Sequence, residues 1–109
     1  MNLFRMTMLA AFALGSSAVV CANAGPGAQR QTELLHLLRH DCGSCHGMRL
    51  EGGLGPPLTP PALRRLSNEQ IVATILHGRP GTPMPPWRPF LSPSEAQWLA
   101  MQLKQGVSR

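Results

Sequence analysis

Apolar residues recur at helical spacing in three stretches of the chain, and the segments between them are rich in glycine and proline. From residue 31 to about 41, Leu34, Leu35, Leu37 and Leu38 fall on one side of a 3.6-residue turn, with Thr32 or Gln29 expected near the start. The second stretch opens on Ser67-Asn68-Glu69-Gln70, a capping box with Ser67 at the N-cap and Gln70 at the third helical position. Its apolar face is Ile71, Val72, Ile75 and Leu76; His77 lies in the last turn, where the helix dipole favours a cation, and Gly78 stops it. The third opens on Ser92-Pro93-Ser94-Glu95, a second capping box with proline at the favoured first position, and runs to about Gln105, before Gly106. Trp98, Leu99, Met101 and Leu103 are expected to carry its packing surface.

The intervening segments read as loops. Residues 47–61 contain Gly47, Gly52, Gly53, Gly55, Pro56, Pro57, Pro60 and Pro61, a composition that breaks any regular element. A short turn is expected over residues 62–66. Residues 79–89 hold Pro80, Pro83, Pro85, Pro86 and Pro89. There are no internal repeats and no β-branched alternating runs, so the predicted class is all-α.

The first 24 residues stand apart. Arg5 precedes an apolar run from Met6 to Val20, and Ala22-Asn23-Ala24 fits a leader-peptidase site. This predicts a secretory signal over residues 1–24, removed together with Cys21, and a mature domain over residues 25–109. The run is short for a membrane span and nothing downstream resembles one, so no stable membrane anchor is expected. The formal net charge of the whole chain is +5. One of those positive charges, Arg5, belongs to the leader. The rest are scattered, Arg64-Arg65 being the only basic doublet, which speaks against nucleic-acid binding. So small a domain buries a limited fraction of its surface and usually needs a staple.

Candidate chemistry is concentrated in Cys42-Gly43-Ser44-Cys45-His46. C-x-x-C-H is the attachment signature of a c-type haem. Two thiols one helical turn apart can add across the two porphyrin vinyl groups, and the adjacent imidazole can then offer Nε2 to the iron. A thioredoxin-like pair would need a strand and a parallel sheet, and a structural zinc site would need four ligands where only two mature cysteines exist. One covalently bound haem c is therefore the expected cofactor, and the porphyrin completes the core.

His46 leaves one axial position. Met84, in Thr82-Pro83-Met84-Pro85-Pro86, is held by flanking prolines and has little to gain as a core residue. His77 is the competing ligand; Met48 is too close to the attachment segment, Met101 is needed for packing, and His36 and His40 read as surface residues. Histidine–methionine ligation raises the potential relative to bis-histidine and closes the iron to exogenous ligands.

A leading helix, C-x-x-C-H, a G-P-x-L loop, a helix, a P-M-P segment and a C-terminal helix with an aromatic together resemble class I cytochrome c over residues 30–105. The resemblance implies three to four helices around one haem, thioether links at Cys42 and Cys45, proximal His46, distal Met84, and Pro56 accepting the Nδ1 hydrogen of His46. It also implies that the first and last helices cross, with Leu34, Leu37 or Leu38 against Trp98 and Leu99. Residues 41–50 and 77–87 are similar to cytochrome c-55X, the small monohaem family encoded with haem-cd-type nitrite reductase. That similarity implies a periplasmic, non-enzymatic carrier of single electrons, with an upstream donor and nitrite reductase as the redox partner. A part in maturing the reductase's d-type haem is the alternative. The absence of tyrosine departs from relatives that use one at a propionate.

Overall fold

The computed structural model describes residues 25–107, and the expected signal at 1–24 lies outside the described residues. The described chain is helical, with no strand among its residues. The first helical run is continuous but built in three parts: α1 (Ala28–Leu37), a π-helical stretch (Leu38–Cys42) and the single turn α2 (Gly43–His46). In the π stretch the Gly43 N–H reaches back to the carbonyl of Leu38, one residue further than an α-helical bond. After Gly47 come the single turn α3 (Pro60–Leu63), then α4 (Asn68–His77) and α5 (Pro93–Gln105). Counting the first run as one element, three long helices and one short turn make up the fold.

Local chemistry explains most of the boundaries. Ser67 Oγ accepts from the Gln70 N–H at 3.1 Å while Gln70 returns a bond to the Ser67 N–H at 2.8 Å. Ser92 and Glu95 repeat this box at the head of α5, at 3.2 and 2.8 Å. Two expectations need correction. The first helix begins at Ala28 rather than near residue 31; its N-cap is Gly27, which has no side chain to announce it. The turn expected at 62–66 begins at Pro60, because the fixed φ of proline suits a first helical position.

α5 is the centre of the packing and touches α1, α3 and α4. Leu34 and Leu38 from the first run, Leu63 from α3, Ile71 and Leu76 from α4, and Ala96, Trp98, Leu99, Ala100 and Leu103 from α5 form one buried cluster, joined by Leu50 and Leu91. The first and last helices are thus in contact and share one core, with Leu34 and Leu38 fully buried and Leu37 half-buried. Met101, expected in the core, is 41% exposed. Ala96 and Ala100 of the same helix are instead fully buried in the core. Arg30 adds a polar clamp between α1 and α5: its Nε donates to Glu95 at 2.6 Å and its Nη1 to Glu33 at 2.9 Å.

Candidate haem site

Cys42 and Cys45 lie one helical turn apart at the end of the first run, both half-buried and neither in a disulfide. Burial, followed by the nearby Asp41 charge, pushes the Cys42 thiol up to about 11. His46 ends α2, and Gly47 turns the chain away with φ of 91°. Its Nδ1 is 2.7 Å from the carbonyl oxygen of Pro56. A carbonyl can only accept, so Nδ1 carries the hydrogen and the Nε2 lone pair is left for a metal.

The glycine-rich loop makes this geometry possible. Its backbone returns to the attachment turn through Gly52 N–H to His46 O at 2.8 Å and Gly55 N–H to Cys45 O at 2.7 Å. Gly55 lies flat against the imidazole: a Cβ there would stand 2.8 Å from both Nδ1 and Cε1 of His46. Leu50 holds φ of 60°, a conformation costly for a non-glycine residue, and its side chain is buried. Its backbone pairs with Gly47 and Leu58, so the turn after His46 is held at both ends.

Met84 comes from a separate segment, and its side chain is half-buried. The Arg79 N–H donates to the Met84 carbonyl at 3.2 Å, and the Met84 N–H donates to Thr82 Oγ1 at 3.3 Å. Thr82 Oγ1 in turn donates to Arg79 O at 2.6 Å. Gly78, at φ of 67°, lies against this turn; a Cβ there would be 2.6 Å from the Met84 oxygen. Beyond Met84, Trp87 N–H to Ile75 O at 2.9 Å and Arg88 N–H to Leu76 O at 3.2 Å fasten the segment to α4. His77, the competing ligand, is exposed at the end of α4.

These residues suit a haem. The donor set is two thiols, an imidazole with a free Nε2 and a thioether, the chemistry of covalent attachment and axial ligation. Leu37, Cys42, Leu58, Val72, Ile75 and Trp87 are among the apolar residues that pack against the core yet remain only partly covered by protein, the kind of surface a flat apolar macrocycle would seal. The structure thus brings Cys42, Cys45, His46 and Pro56 together, and hangs Met84 from α4. Gly55, the glycine of the G-P-x-L loop, shapes the site, as do Gly78 and Thr82, which motif reading does not single out for it. The signal for them was the placement of glycine beside Pro56 and of Gly78-x-x-x-Thr82 before Met84.

Comparison with known proteins agrees with this construction. Residues 29–101 match the family described as cytochrome C oxidase, cbb3-type, subunit III. With its helical fold and attachment motif, the chain is a class I c-type cytochrome carrying covalently bound haem c. Cytochrome c55X of Pseudomonas aeruginosa is 59% identical over 85 residues, which span 78% of this chain and 71% of that protein. The solved structure of the c-type cytochrome NirC is 60% identical and superposes with a TM-score of 0.74, covering 75% of this chain and 96% of NirC. The chain belongs to the cytochrome c55X family, the small c-type cytochromes associated with nitrite reductase systems. A further structural neighbour, dihydro-heme d1 dehydrogenase NirN in complex with DHE, is 40% identical with a TM-score of 0.63; the match covers 69% of this chain but 16% of NirN.

Proposed function

We propose that residues 25–109, exported after loss of the segment 1–24, form a periplasmic monohaem carrier of single electrons whose acceptor is haem-cd-type nitrite reductase. In this reading Cys42 and Cys45 hold the one haem, His46 is its proximal ligand and Met84 its distal ligand. Haem c supplies a one-electron ferric–ferrous couple. The chain's own residues do the rest: Pro56 keeps His46 in the Nδ1–H tautomer, and the apolar walls exclude water. Arg79, Thr82 and Gly78 fix the backbone of Met84.

The observation that carries the reading is the frame around Met84. A methionine held at both backbone atoms and between prolines is suited to remain a ligand through many redox cycles, and closed six-coordination disfavours oxygen or peroxide chemistry. The test has two parts. The loaded protein should show a low-spin c-type spectrum with a weak near-red methionine-to-iron band that Met84→Ala removes. Stopped-flow mixing of the reduced protein with nitrite reductase should show rapid oxidation; a high-spin spectrum, or no transfer, refutes the proposal. Redox encounters of this kind are small and transient, so no stable complex is expected.

A second reading follows from the likeness to a region of NirN. A dehydrogenase must pass on the electrons it removes, and a one-electron carrier of similar fold is a suitable recipient, which would place this chain in maturation of the d-type haem. Reductase lacking its d-type haem in a deletion strain, with donor electrons supplied independently, would favour this role over respiratory delivery.

A further inference from the structure

We propose that His36 and His40 form a labile, solvent-facing site for a borderline divalent transition-metal ion, with Cu2+ the preferred occupant. Their ring centroids are 4.2 Å apart and the planes are inclined by 38°, so the two imidazoles lie side by side, close enough for one ion to be shared between them. Side chains four apart share a helix face. Here the relation spans the junction between α1, which ends at Leu37, and the π-helical stretch that begins at Leu38. Both histidines are exposed, while Leu34 and Leu38 of the same run are buried.

The Glu33 carboxylate one turn earlier is engaged by Arg30 and Gln29, at 2.9 and 3.5 Å. No cluster of three or more metal-ligating side chains occurs among the described residues, so the protein would supply two nitrogens and water the remaining positions. Two imidazoles and waters match the tetragonal nitrogen–oxygen environment of Cu2+, which also heads the affinity order for such donors. Zinc, which in structural sites wants four protein ligands, is served poorly.

Occupancy would have a local consequence. A chelate across residues 36 and 40 bridges the junction that leads into Cys42, so the ion would brace the segment feeding the attachment motif. This inference does not depend on which residue completes the iron's coordination.

The experiment uses haem-loaded protein and Cu2+ alone. Titration calorimetry with copper electron paramagnetic resonance should show one ion per chain with nitrogen hyperfine structure. His36→Ala and His40→Ala should each weaken binding by about tenfold or more, since even loss of an outer-sphere partner commonly costs about that much. His77→Ala, a single exposed histidine elsewhere, should leave binding unchanged. Cu2+ should also raise the thermal midpoint of the wild-type protein and not that of the double variant. Copper affinity indifferent to His36 and His40, or lost equally with His77, would overturn the site; binding without any change in midpoint would overturn the bracing role.

Discussion

At the scale of single residues, the His46 environment rests on one acceptor and one missing side chain. The Pro56 carbonyl at 2.7 Å holds the tautomer, and Gly55 leaves the room for it. Gly55→Ala would drive a methyl group into the imidazole, displacing the ring from Pro56. The expected result is a lower yield of loaded protein and, in the fraction that forms, a more positive reduction potential, since a ligand histidine without its acceptor is less basic. A redox titration with a visible spectrum measures both. Gly78 plays the matching part for Met84. An alanine there would combine a φ of 67° with a Cβ 2.6 Å from the Met84 oxygen. Strain of this kind costs on the order of 1–3 kcal/mol, enough to release the turn. The near-red band should weaken in Gly78→Ala while the thioether-linked haem remains.

At the scale of elements, the helices are fixed by their first turns. Ser92→Ala removes the acceptor for the Glu95 N–H, and loss of such a cap costs about 1 kcal/mol. For a domain of this size the thermal midpoint should fall by roughly 4–8 °C, readable by circular dichroism of the loaded protein. Glu95 also carries a pH dependence. Its hydrogen bond from Arg30, and then the one from the Ser92 backbone, hold its carboxyl below the usual carboxylate range. A carboxylate whose pKa is depressed on folding contributes stability above its unfolded value, about 4.3, and loses it as the pH falls through the folded value. Thermal midpoints should therefore drop as the pH falls below about 5, and Glu95→Gln should start lower and flatten that drop. Equal acid sensitivity in both proteins would show that the clamp between α1 and α5 is not responsible.

At the scale of the whole molecule, one core joins the attachment run to the Met84 segment through α5. Leu34 is fully buried where α1 meets that helix. Leu34→Ala should cost about 2–5 kcal/mol, a large part of the stability of so small a domain. The urea midpoint of the loaded protein is the measure, and the unloaded variant should fail to fold. Much of this molecule is legible from short-range signals. The capping boxes at Ser67 and Ser92, the stops at Gly78 and Gly106 and the attachment motif each involve residues within a turn of one another, so the chemistry that forms them is written in neighbouring letters. The early start of α1 carries no local signal because Gly27 caps without a side chain. The single turn at Pro60–Leu63 starts earlier than its composition suggests because helix and loop compete closely in a proline-rich stretch. What lies deeper was decided by packing. Met101 has the hydrophobicity of a core residue, yet it is Ala96 and Ala100 that are fully buried, because a close-packed interior selects for volume as well as apolarity. The sequence by itself determined the helical class, the caps, the thiols and the histidine of the attachment turn. The G-P-x-L resemblance already points to the Pro56 carbonyl as the partner of His46; only the tertiary structure decided which glycine lies under the ring and which backbone groups of α4 hold the Met84 segment, because those contacts join residues whose meeting depends on how the helices pack.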